Sequence, residues 1–253
     1  VPHYRVELHS HCQGDPVDDL SHTIFEHIDQ AKKVGLHAIA ITWHRAVCAN
    51  PEAYAYARRQ GLVLISGMET EVNRKHLVVL GVAPGDLSGE TTWEEIRALR
   101  ARKPGVVVMA PHPFYPHPSC LGNRLNESPD CIDAVEWCAL HVHWIPHRVS
   151  PNLRAARWAQ RHGKPLVACS DAHSLRAIGK NPSVVEADEL TSEAILQAVR
   201  AGRVSFPRHS LEMGTFIYES GRALLGQRRV IGRWVAQRLQ KSPRGGPTHG
   251  AHL

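Results

Sequence analysis

The sequence predicts an α/β fold whose strands close into a barrel. Short apolar, strand-like runs alternate with amphipathic helical stretches along most of the chain. About seven such runs fall within roughly 200–250 residues, the size of a single α/β barrel. Continuous apolar strands separated by helices imply a parallel sheet covered on both faces.

In chain order, residues 4–8 alternate as a strand. Residues 19–34 read as a helix with Ile24, Ile28, Ala31 and Val34 on one stripe, ended by Gly35. Residues 38–42 (Ala-Ile-Ala-Ile-Thr) form a short apolar strand, and Pro51 opens a helix that runs to Gln60 and closes at Gly61. Strands follow at 62–66 and 76–82. A helix over 91–101 takes Thr91 or Thr92 as its cap. Strands at 106–110 and 132–135, a helix at 151–162, strands at 166–169 and 184–186 and a helix at 192–200 complete the pattern. The barrel is expected to occupy residues 1–210. Residues 211–253 are expected to be a basic extension, helical over 223–239 and disordered from Pro243.

Composition narrows the function classes. With 43% hydrophobic and 21% charged residues the chain reads as an ordinary soluble protein. No run approaches the ~18 apolar residues of a membrane span, and the start has no signal-peptide pattern. Six cysteines without a Cys-x-x-Cys pair fit a reduced, cytoplasmic setting, with Cys169 a small buried apolar residue. The formal charge of +6 comes from seven basic residues after Glu219, so the body is near neutral. That distribution argues only weakly for nucleic acid. The unusual number is 18 histidines in 253 residues, well above ordinary usage.

Their positions are informative. His9 and His11 follow the first strand, His44 the second and Glu69 the third. His112 follows the 106–110 strand, and Asp171 and His173 follow the 166–169 strand. In an α/β barrel the carboxyl ends of the strands converge on one face, so these residues would meet there. Imidazoles with a few carboxylates suit zinc, iron or manganese. This many candidate ligands exceed the needs of one ion, so two or three are expected, with a carboxylate such as Glu69 bridging.

The ordered set His9-x-His11, Thr42-x-His44, Gly67-x-Glu69, His76, His112-Pro113 and Ser170-Asp171-Ala172-His173 resembles the PHP (polymerase and histidinol phosphatase) family, from about residue 4 to 206. The resemblance implies a distorted barrel of about seven strands holding up to three metal ions. By motif, His9, His11, Glu69 and Asp171 would hold the first ion. Glu69, His76 and His112 would hold the second, and His44 and His173 the third. Asp15 is chosen to complete the third, with Asp18 the alternative. Glu69, Asp171 and His173 would thereby carry catalysis, through a bridging water or hydroxide that attacks phosphorus. One departure is plain: the family has Asp where this chain has Trp43.

Glu136 could touch metal, orient a ligand histidine or form a salt bridge. His141, His143 and His147 form a histidine-rich loop that could supply a general acid. Among loop cations, Arg45, Arg74, Lys75, Arg124 and Arg148 are candidates for phosphate, and Arg45, Arg148 and His143 are chosen. Trp43, Tyr115 and Trp144 could stack a base. The expected activity is hydrolysis of phosphate mono- or diesters: nucleotides, oligonucleotides or small phosphorylated metabolites. The rivals are a metal-dependent hydrolase of another bond (phosphotriester, ester, amide or carbamate) and a non-catalytic binding module.

Overall fold

The computed structural model describes residues 1–139 and 150–207. His141, His143, Trp144, His147, Arg148 and the helix expected over 223–239 lie outside the described residues.

Strand β1 (His3–Glu7) leads through helix α1 (Ile24–Lys33) to β2 (Ala38–Ile41), and α2 (Pro51–Arg59) leads to β3 (Val63–Val72). Strands β4 (Lys75–Leu80) and β5 (Glu90–Thr91) precede α3 (Trp93–Arg102), β6 (Val107–Ala110) and β7 (Ala134–Cys138). Then come α4 (Pro151–Arg161), β8 (Leu166–Cys169), β9 (Ser183–Glu186), α5 (Ser192–Arg200) and β10 (Val204–Ser205). The sheet order is β10-β9-β1-β2-β3-β4-β6-β7-β8, with β5 beside β3. Its two ends approach one another. Ser183 Oγ on β9 accepts from Ala168 N on β8 at 2.8 Å and donates to Ala168 O at 3.1 Å, so the sheet is a nearly closed barrel.

The sheet is mixed, which corrects the all-parallel expectation. β1, β2 and β3 run parallel, as do β6, β7 and β8. β4 is antiparallel to both β3 and β6, and β9 is antiparallel to β1 and β10. The cause is a two-residue turn at Asn73 and Arg74, both left-handed (φ 52° and 62°), which closes a hairpin between Val72 and Lys75. No glycine marks that turn. The polar Glu69-Thr70-Glu71 run also hides the continuation of β3 past Ser66.

Helix α1 begins at Ile24 rather than near Asp19, because Thr23 takes the cap. Its side chain accepts from Glu26 N while the Glu26 carboxylate accepts from Thr23 N. Thr92 and Glu95 repeat this device on α3, which settles the choice between Thr91 and Thr92.

One core cluster is built from strands around the barrel, including Ala38, Ile65, Val78, Met109, Ala134 and Val167, with Ile195, Leu196 and Val199 of α5 packed on it. Two others lie between sheet and helices, one with Ile28 and Ile39, the other with Ile96, Val135 and Trp158. Side chains alternate along a strand. Glu69 therefore shares the face of Ile65, and Glu136 that of Ala134. Both carboxylates are thus directed to the barrel interior.

Candidate metal centre

The chain carries its polar residues to the carboxyl ends of β1, β2, β6 and β8 and to the middle of the β3–β4 hairpin. Glu69 is part of β3, paired with Val78 across the hairpin, and is 2% exposed. His9 and His11 are fully buried just beyond β1. His44 bridges to Glu69, whose backbone N donates to Trp43 O at 3.0 Å. His112 (φ 29°) and Asp171 (φ 48°) hold left-handed backbone conformations, a local strain of the kind found at functional sites.

Four atoms define the first position. His9 Nε2 lies 3.4 Å from Glu69 Oε2 and 3.3 Å from Asp171 Oδ1, and His11 Nε2 lies 3.4 Å from both. Ligands about 2.0–2.2 Å from one ion stand about 3.0–3.5 Å apart, so this spacing fits a shared cation. His9 Nε2, His11 Nε2 and Asp171 Oδ1 are buried without a hydrogen-bond partner. Such orphans are costly in a folded interior unless something else satisfies them. Nearby, His76 Nδ1 and Glu69 Oε1 lie 2.7 Å apart, yet both are also without a hydrogen bond. His112 Nε2 is 3.4 Å from the same Glu69 oxygen, and His44 Nε2 is 3.0 Å from Oε2. The two oxygens of Glu69 thus face two sets of imidazoles. His11, His44 and His173 form a further group with one donor each within 4.8 Å of one another.

The rings are held from behind. His9 Nδ1 donates to Glu136 Oε2 at 2.8 Å, and His11 Nδ1 to Asp15 Oδ2 at 2.8 Å. His112 Nδ1 lies 3.2 Å from Cys120 Sγ. These contacts fix which nitrogen faces inward, the usual support for a ligating imidazole. Beneath them, His22 Nε2 donates to His11 O at 3.0 Å and lies 3.1 Å from His27 Nδ1, and His27 Nε2 donates to Ser10 Oγ at 3.0 Å. His22 and His27 therefore serve the site from the loop and helix after β1.

Charges reinforce one another here. Burial opposes the charged form of His9, but Asp171, Glu69 and Glu136 raise its pKa well above the usual range. Burial likewise opposes ionised Glu69, yet His76, His44 and His9 hold it well below normal. His11 moves the other way, lowered by burial and by His173 and His44. Glu7, fully buried below the site, accepts from Ser170 N at 2.9 Å, and burial pushes its carboxyl up to about 8.

The structure brings together His9, His11, His44, Glu69, His76, His112, Asp171 and His173. Asp15, the sequence choice for the third position, is surrounded by donors. Its Oδ2 takes His11 Nδ1 and, at 3.0 Å each, His44 Nδ1 and His44 N, while its Oδ1 accepts from Val17 N and Asp18 N. Asp18 Oδ2 lies 2.8 Å from His173 Nε2. Asp15, Asp18 and His44 also bring one donor each within 4.8 Å. Arg45, a sequence candidate for phosphate, is engaged twice by Glu71 Oε1 at 2.9 and 2.8 Å, with Glu90 at 3.6 Å. Sequence reading missed Glu7, Cys120, His22 and His27 as supports. Of these, only the His22–His27 pair left a trace, as part of the histidine excess.

Residues 7–110 match the PHP domain and residues 149–204 match the PHP-associated region. The chain belongs to the PHP family. Over 68 residues it is 41% identical to the PolC-type DNA polymerase III of Bacillus subtilis, covering 27% of this chain and 5% of that protein. The corresponding Staphylococcus saprophyticus polymerase is 42% identical over 65 residues, 26% of this chain and 4% of that one. The chain therefore spans a small fraction of the curated relatives it matches.

Among solved structures it resembles a two-domain Bacteroides vulgatus protein containing a predicted PHP-like metal-dependent phosphoesterase, with TM-score 0.60 and 17% identity over 82% of this chain and 65% of that one. It also resembles PsfC of Pseudomonas syringae (TM-score 0.59, 18% identity, 90% and 99% covered). The lesion-specific endonuclease Q of Pyrococcus furiosus gives TM-score 0.58 and 15% identity over 81% and 58%. These likenesses show the shared PHP fold. Trp43 stands at the position where the sequence resemblance implies Asp. Its Nε1 donates to Cys12 Sγ at 3.3 Å, and its ring lies so close over Gly14 (φ 101°) that a Cβ there would fall 2.7 Å from it. No described helix is long and apolar enough to cross a membrane.

Proposed function

We propose that this PHP protein hydrolyses phosphate mono- or diesters with two or three bound divalent ions, zinc, manganese or iron. The observation that carries the proposal is the set of buried donors of His9, His11, Glu69 and Asp171, spaced 3.3–3.4 Å across the histidine–carboxylate contacts. Bound ions would supply Lewis acidity, lowering the pKa of water to about 7 and offsetting charge on phosphate oxygens.

The chain's own residues do the rest. His9, His11, Glu69 and Asp171 hold the first position, and Glu69 also serves the second with His76 and His112. His44 and His173 hold the third. Asp18 is the acid that completes it, because Asp15 is already taken up by the Nδ1 atoms of His11 and His44. Glu136 and Asp15 keep the rings turned inward. Nucleotides and oligonucleotides are the favoured substrates, in keeping with a structural neighbour, endonuclease Q, solved with a DNA duplex bearing an abasic lesion.

The test is a panel of phosphate mono-, di- and triesters offered to the metal-replete protein. Turnover of mono- or diesters is expected, with His11→Ala and Asp171→Ala abolishing it while circular dichroism stays native. A fully metal-loaded protein that hydrolyses no phosphate ester overturns the proposal, as does unchanged turnover in either variant.

A further inference from the structure

The residues between β6 and β7 are tied to the cage at two points. His76 N donates to Ser119 O at 2.8 Å, and Cys120 Sγ supports His112 at 3.2 Å. Along the outer side of this segment runs a cleft of about 550 Å³, large enough for a small ligand. It is lined by Lys75, Arg124 and Arg154 and by no carboxylate. Lys75 enters from the β3–β4 turn and is held by the carbonyl of Pro118. Arg154 enters from α4, its guanidinium 4.7 Å from the ring centre of Phe114. Arg124 lines the cleft from the segment after Gly122 and is exposed.

Other surface cations are paired with acids, although several more are not. Arg45 pairs with Glu71, Arg97 with Asp130, Arg100 with Asp133 and Lys103 with Asp86. Among the described residues, no ion pair joins Lys75, Arg124 or Arg154 to an acid. Three like charges around one hollow repel one another, and an anion placed between them relieves that repulsion. Guanidinium groups match phosphate with paired hydrogen bonds.

We infer that this cleft holds a second phosphate of the substrate, covalently joined to the one hydrolysed at the cage. The inference rests on the phosphoesterase reading and narrows it to molecules with at least two phosphates. A small bisphosphate and a nucleic-acid strand share that chemistry. Cys120 lines the cleft and touches His112, so the second phosphate lies on the His76–His112 side of the cage.

The experiment compares thymidine 5′-monophosphate, thymidine 3′,5′-bisphosphate and single-stranded tetrathymidylate as substrates of the metal-loaded full chain. At least one of the two longer probes is expected to exceed the monophosphate in kcat/KM by about tenfold, the scale of one charge-assisted contact. Preference for both assigns the cleft to any second phosphate, and preference for tetrathymidylate alone assigns it to a strand. In the double variant Arg124→Gln/Arg154→Gln the preference collapses to about twofold or less, through KM. Arg58→Gln, on α2, keeps it.

A separate readout is fluorescence anisotropy with labelled tetrathymidylate. Its salt dependence between about 50 and 200 mM is expected to flatten in the double variant. A preference that survives both substitutions, or the absence of any preference, overturns the inference while leaving the phosphoesterase reading intact. If no phosphate ester is hydrolysed but binding still depends on Arg124 and Arg154, the cleft stands and the phosphoesterase reading falls.

Discussion

Glu136 Oε2 accepts from His9 Nδ1 at 2.8 Å, at a position where both side chains are completely withdrawn from solvent. The other Glu136 oxygen has no hydrogen-bond partner. This carboxylate therefore aims the opposite nitrogen of His9 at Glu69 and Asp171. Glu136→Gln keeps the shape and removes the charge. Metal affinity, read by competition with a chromogenic chelator, is expected to fall about 10–100-fold with the fold retained. An affinity equal to that of the unmodified protein would show that the contact does not support metal binding.

Asp15 and Asp18 are separable by counting ions. Asp18→Asn removes the acid beside His173 and is expected to lower the bound metal by about one ion per chain. Asp15→Asn loosens His11 and His44 together, so all positions weaken by about tenfold or more while full occupancy is still reached at high metal. Elemental analysis of dialysed protein decides. A whole ion lost from Asp15→Asn, with Asp18→Asn unaffected, would reverse the two roles.

Metal uptake is expected to release protons. Before an ion enters, burial opposes charge on His173, but Asp171 and Asp18 lift its pKa to about 9. His44 and His112 are likewise raised well above 6.5 against the cost of burial, His44 chiefly by Glu69 and His112 by Cys120 and Glu69. A histidine raised in the fold contributes stability fully below its unfolded value near 6.5, and that stability is lost as pH climbs through about 9. The ion-free protein should therefore lose thermal stability across this window, while apparent metal affinity rises. Calorimetry in two buffers of different ionisation enthalpy measures the released protons. Zero release would rule out protonated histidines in the empty cage.

Glu7 shifts stability in the same direction but over a lower pH range. Burial raises its carboxyl from 4.5 to about 8, so the fold carries the neutral acid. The associated stability is complete below about pH 4.5 and declines as pH rises through about 8. Glu7→Gln should melt higher than the unmodified protein above about pH 8, with the difference closing near pH 5. Parallel melting curves for the two proteins across that range would refute the assignment.

The strand–helix rhythm, the cap at Thr92 and the gathering of the histidines were legible because each is a local pattern: an apolar run, a Thr-x-x-Glu spacing, an imidazole just past a strand. What was not legible depends on backbone sign or distant partners. The Asn73–Arg74 turn needs two left-handed residues without glycine, so the antiparallel β4 was hidden. Asp15 and Asp18 are equivalent in sequence and are distinguished by which imidazole nitrogen each meets. Cys120 is eight residues from His112 and gains its meaning only when the intervening loop folds back. The pairing of Arg45 with Glu71, 26 positions away, is invisible in the sequence because only the hairpin brings the two together.

Because Glu69 is anchored inside a ten-residue strand rather than on a loop, the cage has little room to dilate. Its 3.3–3.4 Å edges are those of donors about 2.0–2.2 Å from one four-coordinate ion. The width of the cage is thus tied to the register of the hairpin, because Glu69 cannot move outward without disturbing its pairing with Val78 of β4.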